Sequence, residues 1–353
     1  MLNRFVAPLL LCLVSSPVTY ARVTAEQIAI IVNTNDPDSR KTADYYRKQR
    51  DIPDGNIIEI ELPVGRNVIS GETFRRIYPQ VVEQTPADVQ YYALAWSRPF
   101  KVGCMSVTSA FAFGYDKAFC AKGCNPTRLS AYYNSNSERP KHELDIRPSM
   151  MLAGSSLEQV FAMIDRGVAA DGSLVKVKSY ATAYLVSSSD RNRNVRSRRY
   201  RVIMVLLVDD INIELVDSNI LKDRDDVLFY FTGLKDVKAI DSNSYLPGAI
   251  ADHLTSGGGK LFGGRQMSIL RWLDAGATAS YGTVVEPCAF TQKFPNPGIV
   301  IERYTQGESL IEAYWKSVAW PGQGVFVGEP MAAPYTDATG HLTETDNIET
   351  DAK

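Results

Sequence analysis

Runs such as IAIIVN (28–33), VQYYALAW (89–96) and VLFYFT (227–232) are apolar at nearly every position. They lack the two-residue alternation of a strand that shows one face to water. Strands of that kind are buried on both faces, which points to a parallel sheet covered by helices. The chain between them agrees. After 28–33 comes NDPDS, where Asp38 or Ser39 can cap the helix-like RKTADYYRKQR; NIIEIEL (56–62) follows as a strand, and Ser70 can cap a helix through 71–84, kinked near Pro79. This opening is β-α-β-α-β, and the predicted fold class is α/β, a mostly parallel sheet with helices on both faces.

Periodicity fades from about 100 to 154, where an elaborated loop region carries Cys104, Cys120 and Cys124. Regular structure resumes with a capped amphipathic helix over 155–172 closed by glycine. The expected elements after it are strands at YATAYLVSS and RVIMVLLVDD, flanking the insertion RNRNVRSRR, and the strand VLFYFT. A helix at YLPGAIADHLTS with Pro247 in its first turn and a helix at QMSILRWLDAG come next. A strand at ATASYGTVV, a helical stretch over 299–320 and a last strand at GVFVGEP complete the series. The division expected is a signal peptide at 1–21, an α/β domain at 22–335 with parts 22–154 and 155–335, and a polar, acidic, disordered tail at 336–353.

The amino terminus supports export. MLNRFVAPLLLCLVSSPVTYA has Arg4 as a short basic region, an apolar run over 5–14 and Thr19-Tyr20-Ala21 as a cleavage site. That run is short for a bilayer span, and no later segment crosses a membrane. Leu11 stands where a lipidated Cys12 would want a small residue. The mature chain keeps Cys104, Cys120, Cys124 and Cys288, an even set for an oxidising compartment, periplasmic or secreted. Four cysteines allow three pairings, and Cys288 either joins the set or remains a free thiol. With 353 residues, 45% of them hydrophobic and 22% charged, a net charge of −2 gives no reason to expect nucleic acid as a partner.

Several stretches could carry chemistry. TSGGGKLFGG (255–264) holds five glycines in ten residues. It fails as a phosphate loop, because Lys260 is followed by Leu261, not Ser or Thr, and it fails the dinucleotide pattern because Phe262 stands at the third glycine position. A glycine turn after a helix end is the plainer reading. The run 191–201 contains six arginines and could grip an anionic polymer, although such runs are more often solvated loop tips. His253 and Ser256 lie three apart, yet a hydrolase needs a base and an orienting group that local spacing does not supply. Cys288 follows a buried strand, as a nucleophile at a sheet edge would, but neighbouring Glu286 raises rather than lowers a thiol pKa. His142 and His341 form no metal-ligand pattern, and no cofactor or metal is expected.

Two resemblances add to this. The segments IVNTNDPDSRKTADYYRKQRDIPDGNII, YLPGAIADHLTS, GATASYGTVVEPC and YTQGESLIEAYWKSVAWPGQGVFVGEPMAAPY resemble a bacterial family of undetermined activity found in species that carry the exosortase (PEP-CTERM) sorting system. The chain ends without the Pro-Glu-Pro, transmembrane and basic tail of a sorting substrate. Residues 226–335 also resemble the later half of gingipain-type, caspase-fold cysteine peptidases, through VLFYFTGL, LTSGGGKL, GATASYGTV and VFVGEP. In that family one strand ends in a His-Gly base and the next in a nucleophilic Cys. Here the matching positions hold Thr232-Gly233 and Ser256-Gly257, so the resemblance implies a pseudo-peptidase scaffold without the dyad. It would bind peptide or envelope polymer over the carboxyl ends of its strands, where Thr232, Gly233, Gly257, Gly258, Gly259 and Glu286 should converge. The alternative is a hydrolase using Cys288 or Ser256, with His253 as base.

Overall fold

The computed structural model describes residues 22–336 apart from 122, 178 and 179; the predicted signal peptide and tail lie outside the described residues, save Thr336. The first apolar run forms β1 (Ile28–Asn33), buried along its whole length. It leads into α1 (Pro37–Arg50), whose N-cap is Asp36, two or three residues before the expected Asp38 or Ser39. Pro37 presets the first helical φ and the Asp36 carboxylate accepts from the Asp38 N–H, while the Ser39 hydroxyl accepts the Asn33 N–H. Next come β2 (Ile57–Ile60), β3 (Val68–Ile69) and α2 (Gly71–Gln84), capped by Ser70 as expected. The helix continues through Pro79, which sits on its exposed face where water can satisfy the freed carbonyl.

Beyond β4 (Tyr91–Leu94), the supposed loop region holds β5 (Lys101–Val102), β6 (Met105–Ser106), α3 (Val107–Phe113), α4 (Pro140–Leu144) and β7 (Ser149–Met151). The three residues of β7 are too few to show a period, yet they are fully buried and pair with β4. Then follow α5 (Leu157–Ala170), β8 (Thr182–Ser187), α6 (Tyr200–Leu207), β9 (Asn212–Asp217) and β10 (Val227–Thr232). The α6 segment corrects the strand expected at RVIMVLLVDD. An apolar run of this length fits either structure, and here the buried set Tyr200, Ile203 and Leu207 has helical spacing.

The opposite correction applies at YLPGAIADHLTS, which forms β11 (Tyr245–His253), not a helix. It lies between two parallel neighbours and is buried from Gly248 onward, so burial on both sides overrides the helical pattern. Pro247 is tolerated because the ladder with β10 shifts register here, and Gly248 beside it has φ +84°. The series ends with α7 (Leu270–Asp274), β12 (Ala279–Thr283), α8 (Pro297–Thr305), α9 (Leu310–Lys316) and β13 (Gly324–Gly328). The expected single helical stretch is broken at Gly307, φ +96°, and restarted by a Ser309/Glu312 capping box.

Ten strands form one sheet in the order β2-β1-β4-β7-β13-β12-β11-β10-β8-β9, and β3, β5 and β6 make a small second sheet. Parallel pairings join β2, β1, β4 and β7, and separately β9, β8, β10, β11 and β12. Between the groups stands β13, antiparallel to β12. It is anchored by Glu329, which accepts from Arg50 and Tyr46 in the interior. Phe262, beyond the end of β11, lines a cavity of about 260 Å³ with Asp36, Ser97 and Gly154, so the loops that follow β1, β4, β7 and β11 meet there.

Candidate functional site at the carboxyl edge of the sheet

Thr232 ends β10 directly opposite His253 of β11, and the neighbouring β12 ends at Thr283. The predicted segments are therefore brought to one edge. The Gly259 N–H donates to the Thr283 carbonyl, and Ser256, Gly257 and Glu286 line the same depression of about 460 Å³. What each position can do depends on its surroundings.

At the end of β10 the chain covers itself. A Cβ on Gly233 would lie 2.1 Å from the Arg193 carbonyl oxygen, so the backbone of the arginine-rich segment rests on this turn and only glycine fits. Asp190 holds the segment in place by accepting the Asn192 and Arg193 N–H groups and the Arg193 guanidinium. Arg193 also donates to the Thr255 hydroxyl at 3.0 Å. Arg196 goes deeper, donating to the Thr232 carbonyl at 2.7 Å and to Asp252 at 2.6 Å. Both ends of that ion pair are buried, with side-chain exposures of 3% and 1%. Burial raises the Asp252 carboxyl pKa, and Arg196 and Tyr314 act against that shift. The arginine run is thus not simply a solvated tip: its centre is a buried brace under the β10 and β11 ends. Thr232 is itself fully buried.

His253 is enclosed as well. Its Nδ1 accepts the Trp272 indole N–H at 2.9 Å, and its Nε2 lies 3.2 Å from the Met267 carbonyl, which fixes the neutral tautomer with the proton on Nε2. Burial lowers its pKa to about 4. Both nitrogens are engaged inside the protein, so the imidazole is not turned to Ser256 as a base.

The glycines have separate duties. A Cβ on Gly259 would meet the Gly282 carbonyl oxygen at 2.2 Å, and one on Gly282 would meet the Gly259 nitrogen at 2.4 Å. Two backbones touch here, and a side chain on either would part them. Gly257, Gly258 and Gly259 are buried, which leaves the half-buried Ser256 and the exposed Lys260 and Glu286 facing outward. Arg265 and Gln266 complete the wall. Lys101 stands close by, its ammonium pKa lowered by its own burial and by the charge of Lys260.

Cys288 is bonded to Cys124, and Cys104 to Cys120. Of the roles left open for Cys288, the structure shows the disulfide, and a sulfur so bonded offers no thiolate. Cys288 and Ala289 take left-handed φ values of +55° each, and the Cys288 N–H donates to the Glu286 carboxylate. Among the described residues no group of three or more His, Cys, Asp and Glu side chains is placed to hold a metal ion, and no helix is long and apolar enough to cross a membrane.

Arg193, Arg196, Asp252, Trp272 and Gln266 were not identified from sequence as site residues. The one available signal was the arginine run itself. Its partner Asp252 is 56 residues away, and only β11 as a strand brings it there.

The backbone matches that of a peptidase. The crystal structure of the Arg-specific cysteine proteinase gingipain R (RgpB) superposes with a TM-score of 0.53 over 88% of this chain and 78% of that chain, at 12% identity. The fold is gingipain-like, with the caspase-type sheet. The complex of Porphyromonas gingivalis RgpB pro- and mature domains gives 0.46 at 11% identity, over 87% and 79%. No protein-family model and no curated protein matches the sequence.

Proposed function

We propose that this chain is an exported protein with a gingipain-like fold that holds peptide or envelope-polymer segments at the carboxyl edge of β10–β12 without cleaving them, in connection with protein export or sorting. The observation that carries the reading is the engaged state of every candidate catalytic group except Ser256. The His253 imidazole is bonded on both sides, the Cys288 sulfur is in a disulfide, and the Thr232-Gly233 turn lies under Arg193. Acyl transfer needs a nucleophile and a base within hydrogen-bond reach, and Ser256 alone does not make such a pair. What remains is an open polar depression with Lys260 and Arg265 against Glu286, a basic excess that favours acidic segments. Two disulfides are consistent with an oxidising compartment, and the export and sorting connection rests on the resemblances in sequence.

The test uses the mature, oxidised protein with labelled acidic, neutral and basic peptides and with anionic envelope polysaccharide, read by fluorescence anisotropy and by mass spectrometry of the incubated peptides. Acidic ligands should bind, and Lys260→Glu with Arg265→Glu should weaken them by about tenfold or more. Cleavage of any peptide that is abolished by Ser256→Ala would sink the binding-only reading and favour the hydrolase.

A further inference from the structure

We infer that α6 is the contact surface for a second copy of this chain, forming a two-fold dimer. The helix exposes apolar side chains that a soluble monomer has no reason to keep together: Val202 is 60% exposed, Val205 69%, Leu206 72% and Val208 61%. Beside it, an open groove of about 450 Å³ runs between α6 and α8, lined by Val202, Ile203, Leu206, Ile299, Arg199 and Glu302. A groove of this size accepts a large aliphatic side chain from outside.

The charges say which partner. Arg198 and Asp209 stand two residues beyond the two ends of α6, both exposed. Among the described residues Arg198, Arg201 and Asp209 make no ion pair within the chain. Their placement opposes the helix macrodipole, which favours acids at the amino end and bases at the carboxyl end. The arrangement does not serve the isolated helix, but it is self-complementary. Two copies of α6 packed antiparallel about an axis midway between Ile203 and Met204 set Arg198 against Asp209 of the second copy and Val202 against its Val205. Leu206 then meets Arg201 of the second copy, whose aliphatic stem can cover it. Val202 and Val205 are three apart on one face of α6, with Arg198 in the 3-10 turn that precedes the helix and Asp209 in the turn that follows it, so the apolar pair lies between a base and an acid. An isologous interface requires each contact to occur twice, and this sequence of base, apolar, apolar, acid meets that requirement.

Sedimentation equilibrium of the mature, disulfide-intact protein tests this directly. A monomer–dimer equilibrium with a Kd below about 100 µM is expected, the weak end for a small interface. Arg198→Glu and Asp209→Arg should each raise the Kd by about tenfold or more, since the symmetry repeats every like-charge contact. The two changes combined in one chain should return it to within about threefold of the original. These positions are exposed, so an unchanged melting temperature will show that the variants fold. A protein that stays monomeric through that range, single reversals without effect, or a combined variant no better than either single one would each overturn the proposal and assign the face to a different partner.

Discussion

His253 shows how a single side chain changes meaning with its surroundings. Its imidazole is neutral in the folded protein down to pH about 4, against an ordinary value of 6.5. The unfolded chain binds the proton first on acidification, so this residue's contribution is intact above pH 6.5 and is lost as pH falls towards 4. The loss amounts to about 3 kcal/mol. Urea titrations from pH 7.5 to 4.5 should show that slope, and His253→Gln, which keeps an acceptor and a donor for Trp272 and Met267, should flatten it. The Arg196–Asp252 pair makes a second residue-scale prediction. Removing one partner strands a buried charge, so Arg196→Met or Asp252→Asn alone should cost about 3–5 kcal/mol, while Arg196→Met with Asp252→Leu should cost less than either. Chemical denaturation of the three variants measures it.

Among the elements, the glycine turn after β11 is where pattern and packing part most clearly. The glycines look like a cradle for a ligand, yet Gly259 and Gly282 serve a backbone contact between the turn and β12. Gly259→Ala should therefore destabilise by about 1–3 kcal/mol through forced separation of the two segments, with Gly258→Ala milder because its nearest neighbours are side-chain methyls at 3.3 and 3.4 Å. Differential scanning calorimetry of the pair distinguishes this from a general intolerance of side chains in the turn. The same scale explains the two misread elements. The apolar run of α6 fits helix or strand and that of β11 reads as a helix, and the choice was made by neighbours: solvent on one side of α6, a strand on each side of β11.

For the whole molecule, one disulfide closes the loop region of the first half on itself and the other ties it to the site edge of the second half. Cys124–Cys288 closes a separation of 164 residues and fixes the Glu286 loop beside the depression. Reduction should lower stability by about 2–5 kcal/mol, and the native protein without residues 1–21 should react with no thiol reagent until denatured and reduced. Melting with and without reductant, with mass-spectrometric counting of alkylated cysteines, checks both. A Cys288 that alkylates in the folded, oxidised protein would contradict the pairing.

The sequence alone determined that the sheet is mostly parallel and helix-covered, because strands buried on both faces are apolar at nearly every position, as β1, β4 and β10 are. It also put Glu286 just past a strand, whereas Ser256 came to a strand end only through the gingipain resemblance, residues 245–256 by themselves reading as a helix. Tertiary structure decided the rest. Arg196 finds Asp252, Trp272 finds His253 and Cys124 finds Cys288 only across the folded sheet. No local pattern encodes such pairings, since burial and hydrogen bonding are properties of neighbours distant in the chain.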